Sequence, residues 1–188
     1  MGRWQPNARG RLEQAALELY RERGFEQTTA AQIAERAGLS ERTFFRHYAD
    51  KREVLFGGAQ SLETAFADTL AAIPETAAPI DAMAATLESV AELFADRHEF
   101  ARQRQAVIMA NTELRERELI KLASITAALA ATFRSRGLSA PAATLTAEAG
   151  SAVFRVGFER WVDQPGDRPL ADFLRETLAD LKAVTAGE

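Results

Sequence analysis

Residues 33–48, Ile33-Ala34-Glu35-Arg36-Ala37-Gly38-Leu39-Ser40-Glu41-Arg42-Thr43-Phe44-Phe45-Arg46-His47-Tyr48, decide the fold. Ile33, Ala34 and Ala37 form a short apolar stripe that Gly38 ends, and Ser40 opens a second helix after only a tight turn, its hydroxyl suited to an orphan amide of a helix start. At about 100° per residue, Phe44 and Tyr48 point to one side of that helix while Arg42, Phe45 and Arg46 point to the other. One side packs and the other is offered outward. Two short helices joined by a glycine turn have the dimensions of a helix-turn-helix. On this pattern alone, an ordinary helical corner with a solvated Arg/Glu face reads equally well.

Working outward, helical spacing continues in both directions. Leu12, Ala16, Leu19 and Tyr20 line a first helix that stops at Gly24, and Thr29 caps the second. Asp50, with Glu53 three residues on, predicts a fourth helix from Lys51 through Val54, Leu55, Leu62, Phe66 and Leu70 to about Ile73. Ile80, Met83, Leu87, Val90 and Phe94 mark a fifth, and Phe100 to Ala110 a short sixth. Leu119 to Phe133 make a seventh that Gly137 ends. Pro141 starts an eighth, and Leu170 to Leu181 form a ninth. Strictly alternating strand patterns are missing, so the expected fold is all-α with about nine helices. The eighth helix is apolar on two sides, with Leu145, Ala149, Ala152 and Val156 on one and Phe154, Phe158 and Trp161 on the other, and so needs two partners.

At 188 residues the chain holds one large domain or two small ones, and 47 % hydrophobic with 27 % charged residues is a globular balance. Zero cysteines exclude a disulfide scaffold, thiolate metal sites and a cysteine nucleophile. No apolar run approaches the ~20 residues that span a bilayer, and Met1 to Asn7 has no apolar signal core, so the cytoplasm is the expected location. Residues 1–56 carry 10 Lys/Arg against 8 Asp/Glu and the remainder 13 against 19, local charges of +2 and −6. The positive segment is the part suited to a polyanion. Only His47 and His98 are available as histidines, and neither has a glutamate three residues before it, as helical di-iron sites require. No catalytic constellation emerges, so neither enzyme chemistry nor a cofactor or metal is expected. The expected division is a DNA-binding domain over residues 1–56 and a second domain over 57–188.

Ala15-Ala16-Leu17-Glu18-Leu19-Tyr20, Arg23-Gly24-Phe25, Thr28-Thr29, the stretch from Ile33 to Ser40, Thr43-Phe44-Phe45-Arg46-His47-Tyr48 and Lys51 together resemble the tetracycline-repressor (TetR) family over about residues 9–56. The resemblance implies a one-component bacterial transcription regulator, usually a repressor, that binds a palindromic operator in double-stranded DNA as a homodimer. Position by position, it implies recognition-helix contacts with DNA at Thr43 and Phe45 and phosphate contacts at His47 and Lys51. Thr29 and Thr43 suit phosphates through their hydroxyls or thymine through their methyls, while Arg42 and Arg46 suit guanine edges or phosphates. Tyr48 is expected chiefly to pack, with its hydroxyl within reach of DNA. Arg3, Arg9 and Arg11 form a short basic arm. One departure is Ala31, where the family often has a polar residue, so no contact is expected there.

Beyond residue 57 the resemblance implies dimerisation and a small effector. Met83, Leu87, Phe94, Phe100, Val107 and Phe154 are the apolar candidates to surround it, with Asn111 and Arg155 to orient it. Phe158, Trp161, Phe173, Leu174, Leu178 and Leu181 are the expected dimer interface. Thr112 to Arg117, Leu119 to Leu122 and Glu159-Arg160-Trp161 resemble the subgroup of mycofactocin-system regulators, which implies an apolar, acyl-CoA-like ligand. The competing expectation is an architectural or division-control DNA-binding protein of the same fold without an effector.

Overall fold

A computed structural model describes residues 7–187 of the chain. Among these residues it contains nine α-helices and two short 3-10 helices and no strand. The helices are α1 (Ala8–Arg23), α2 (Ala30–Arg36), α3 (Glu41–His47), α4 (Ala59–Ala72), α5 (Pro79–Ala91), α6 (His98–Met109), α7 (Thr112–Ser135), α8 (Ala140–Asp163) and α9 (Leu170–Ala186). The 3-10 turns are Glu53–Phe56 and Glu92–Phe94. No helix of the described residues is long and apolar enough to cross a membrane.

Starts and stops follow local chemistry. Ser40 Oγ accepts the amide of Thr43 at the head of α3, and Thr29 and Gln32 form a reciprocal capping box at α2. Gly38 takes the left-handed φ of 63° that turns the chain between α2 and α3. The expected continuous fourth helix is instead broken. Asp50 does accept the amides of Arg52 and Glu53, but only the 3-10 turn Glu53–Phe56 follows, and α4 begins after Gly57-Gly58.

The chain divides into two compact units, residues 1–59 with 103–118, and residues 60–102 with 119–188. The first division lies three residues beyond the expected boundary at 56. The inclusion of 103–118 in the first unit was not expected, because the pairs that create it are far apart in sequence. Arg104 Nε donates to the Leu55 carbonyl at 2.7 Å, and its guanidinium pairs with Glu118 at 2.8 Å and covers the Phe56 ring. Arg117 pairs with Glu53. In the second unit, Phe66, Leu70, Met83, Leu87, Phe133, Val153, Phe154, Trp161, Phe173 and Leu174 form one buried core. Arg136 closes the end of α4 by donating to the carbonyls of Leu70, Ile73 and Pro74.

Candidate nucleic-acid interface

Around α3 the first unit is knit so that one helical face stays free. Phe44 is fully buried and Tyr48 nearly so. Tyr48 O–H donates to Glu13 at 2.9 Å and accepts from Arg9 Nε at 3.3 Å, while Arg9 also donates to the Gly57 carbonyl. Burial first, then the Glu13 carboxylate, pushes the Tyr48 phenol well above its ordinary range, so it remains a neutral hydroxyl. Arg11 donates to the Ala37 and Gly38 carbonyls at the α2–α3 turn. Arg36 grips Glu22 at 2.8 Å and reaches Glu18 at 3.4 Å, which ties α2 to α1. Under the same corner, buried Thr28 donates its hydroxyl to the Gly24 carbonyl at 2.8 Å.

The α3 side chains left exposed are Glu41, Arg42, Phe45 and Arg46. Phe45 is 53 % exposed, its ring edge-on to Phe44 at 5.3 Å. Neither Arg42 nor Arg46 makes a hydrogen bond or ion pair among the described residues. Thr29 is exposed as the cap of α2, with its hydroxyl proton still available. Thr43 is half-buried, its hydroxyl 2.9 Å from that of Ser40. These groups lie on short, well-capped helices, and they can meet phosphates and base edges.

Lys51, Tyr48 and His47 have partners or burial within the chain. Lys51 Nζ donates to the carbonyls of Phe25 at 2.8 Å and Glu26 at 3.3 Å and stands 4.3 Å from the Phe25 ring centre, so its ammonium closes the α1–α2 loop. Tyr48 packs, as expected, and its hydroxyl is held by Glu13 and Arg9. His47 is half-buried, and its Nε2 is shielded without a hydrogen-bond partner among the described residues. Of the basic arm, Arg9 and Arg11 belong to α1 and are occupied, and Arg3 lies outside the described residues. The sequence reading missed the bracing role of Glu13, Gly57, Arg104 and Glu118, whose signal exists only in three dimensions.

The effector candidates divide between the units. Met83, Leu87 and Phe154 are buried in the second unit, where Phe66, Phe94, Phe154, Phe158 and Trp161 cluster at 5.3–6.1 Å between ring centres, mostly edge-to-face or tilted. His98 adds its ring to Trp161 at 4.8 Å and contacts the Trp161 carbonyl through Nε2 at 2.8 Å. Phe100 is half-buried beneath the Arg97 guanidinium. Val107 and Asn111 belong to the first unit, Asn111 donating its side-chain amide to the Val107 carbonyl at 2.7 Å. Arg155, expected on a doubly buried helix, is exposed and lies 3.6 Å from Glu159. Of the expected interface residues, Trp161, Phe173, Leu174 and Leu178 are buried in the protomer's own core, and Phe158 and Leu181 pack half-buried against it. Those side chains are spent inside one chain. The other apolar face of α8 is the open one, with Leu145 71 % exposed and Ala152 exposed beside half-buried Ala149 and Val156.

Comparison with known proteins gives concordant similarities. Residues 13–56 match the family described as bacterial regulatory proteins, tetR family, and residues 77–186 match the MftR C-terminal domain. The HTH-type transcriptional regulator TcmR of Streptomyces glaucescens is 39 % identical over 82 residues, 44 % of this chain. That match spans only 36 % of TcmR's length. A Thermus thermophilus FadR, a TetR-family transcriptional repressor solved with lauroyl-CoA, is 26 % identical, with 91 % of each chain covered and a TM-score of 0.53. Bacillus subtilis FadR, solved with stearoyl-CoA, shares the fold at 19 % identity, with 90 % of this chain and 95 % of that chain covered and a TM-score of 0.59.

Proposed function

The chain belongs to the tetR family of bacterial regulatory proteins and is a transcription regulator, not an enzyme; from that premise we propose that it represses transcription as a homodimer on a palindromic operator and is released by a small apolar, acyl-bearing effector. The observation that carries the DNA reading is the outward face of α3. Arg42 and Arg46 are unengaged there while Arg9, Arg11 and Arg36 hold the helix in place. Free guanidinium groups on a rigid helix are what a major groove lined by phosphates recruits. A two-fold dimer would set two such helices roughly 34–36 Å apart, which selects a palindromic site.

The effector reading rests on the aromatic and methionine side chains of the second unit, from Met83 and Leu87 to Phe94, Phe100 and Phe154. The acyl-CoA named with the two FadR structures supplies its chemical class. An acyl chain replaces ring-to-ring contacts with ring-to-methylene contacts at little cost in apolar burial. Release requires the effector to bind the DNA-incompetent state more tightly, since only differential affinity shifts an equilibrium.

Fluorescence anisotropy with an operator selected from random duplexes tests both parts. Lauroyl-CoA or stearoyl-CoA at saturation is expected to weaken operator affinity about 5- to 150-fold, the usual range of allosteric coupling. Binding of the acyl-CoA with unchanged operator affinity would remove the release mechanism. Equal affinity for all duplexes would favour an architectural protein.

A further inference from the structure

We infer that Arg97 holds the anionic head of the effector, a carboxylate or phosphate carried by an apolar chain that packs on the aromatic cluster of the second unit; the inference deepens the effector reading above and rests on it. Arg97 is the last residue before α6 and is exposed, and its guanidinium makes no hydrogen bond or ion pair among the described residues. By contrast, Arg102, Arg155, Arg160, Arg168 and Arg175 of the same unit are each paired with a carboxylate. The chain beyond residue 56 carries a local charge of −6, so an unpaired cation there is the feature an anion would find. Its place is fixed. The Arg97 amide donates to the Phe94 carbonyl at 3.1 Å and its carbonyl accepts the Ala101 amide at 2.8 Å, directly after Asp96 takes a left-handed φ of 56°. Phe94 meets Phe158 at 5.5 Å and Trp161 at 6.1 Å between ring centres, and the next residue, His98, has its ring 4.8 Å from that of Trp161. The guanidinium itself lies over Phe100, 5.1 Å from the ring centre.

That juxtaposition suits an amphiphile. Phe94, Phe100 and Phe158 are half-buried and Leu93 is 50 % exposed, so apolar surface reaches solvent within a few residues of the cation. Methylenes gain by leaving water against such rings, but a charged head cannot follow them into the core without a partner. A guanidinium resting on a ring meets no acceptor there and keeps its fork of N–H donors for two oxygens of one anion. A carboxylate or a phosphate offers that pair of oxygens, whereas an alcohol does not. Arg97 thereby fixes the polar end of the effector and selects anionic amphiphiles over uncharged ones of the same chain length.

The test is calorimetric titration of the full chain with three probes of one chain length, laurate, lauroyl-CoA and dodecanol, each below its micelle-forming concentration. Wild type is expected to bind at least one anionic probe more tightly than dodecanol. Arg97→Gln should weaken that anionic probe about tenfold, close to the worth of one charge-assisted hydrogen bond, and leave dodecanol as in wild type. Arg97→Lys, which keeps the charge without the fork, should retain part of the preference. Arg102→Gln removes a neighbouring cation already paired with Glu99 and should change none of the three. Because Arg97 is exposed, its variants should melt as wild type does. A loss confined to laurate assigns the head as a carboxylate, and a loss confined to lauroyl-CoA assigns it as a phosphate; either supports the inference. Wild-type affinity of Arg97→Gln for both anionic probes overturns it. So does an equal loss on dodecanol, which would mean that the stem of Arg97 packs on the chain and its charge reads nothing. Wild type that binds none of the three sinks the effector reading itself and this inference with it.

Discussion

Lys51 shows how a single side chain divides between holding and reading. A lysine just after a recognition helix suggests a phosphate contact, yet its ammonium is held by the Phe25 and Glu26 carbonyls and lies over the Phe25 ring. Replacing Lys51 with Met keeps the apolar stem and removes the donors. We expect Lys51→Met to cost about 1–2 kcal/mol of stability, the price of stranding partly buried carbonyls. The slope of log operator affinity against log salt should stay as in wild type, because no phosphate contact is lost. Arg46→Gln should leave the melting temperature alone and flatten that slope by about one. Thermal melts and salt titrations of both variants decide the assignment. A flattened slope for Lys51→Met would return the lysine to the DNA.

At the scale of elements, what the sequence revealed depended on how far away the cause lay. The ends of α1, α2 and α3 were legible because Gly24, Thr29, Gly38 and Ser40 act on amides and carbonyls within a few residues. The outward face of α3 was legible for the same reason. The break in the fourth helix was not, although Gly57-Gly58 stood in plain view, because its cause sits on other elements. A Cβ at Gly57 would stand 2.7 Å from Glu13 Oε1 and 2.9 Å from the Tyr48 hydroxyl, and the Gly57 carbonyl accepts from Arg9. The chain must pass close to the brace behind α3, so a side chain at 57 disturbs it. Gly57→Ala should therefore cost about 1–3 kcal/mol despite the better helix propensity of alanine. It should weaken operator binding beyond what the lost folded fraction explains. Chemical denaturation beside anisotropy on the folded protein measures the two effects separately, and unchanged stability would show that the brace yields freely. The partners that hold Lys51 and Tyr48 were hidden for the same reason as the helix break: they come from α1 and from the loop after it.

For the whole molecule, two apolar faces of α8 were visible in the sequence, but not which of them meets the rest of its own chain. Trp161 and Phe154 lie in the protomer core with Phe173 and Leu174, whereas Leu145 and Ala152 face outward. The proposed repressor places two α3 helices on one palindrome and so needs a symmetric partner, for which an exposed apolar stripe along a 24-residue helix is a suitable self-complementary surface. Stable interfaces bury on the order of 1,000 Å² or more, so the stripe must be joined by neighbouring surface, but a charge within it should suffice to split the pair. Leu145→Glu is expected to turn a dimer into a monomer by light scattering at micromolar concentration. Its helix content should be unchanged, because nothing of the core is touched, and operator affinity should fall with loss of the second half-site. Trp161→Ala should do the reverse, costing about 3–5 kcal/mol of stability through a core cavity. At temperatures where it remains folded it should still dimerise. If Trp161→Ala dissociates the dimer while Leu145→Glu leaves it intact, the assembly uses the opposite face and the protomer core must open to form it.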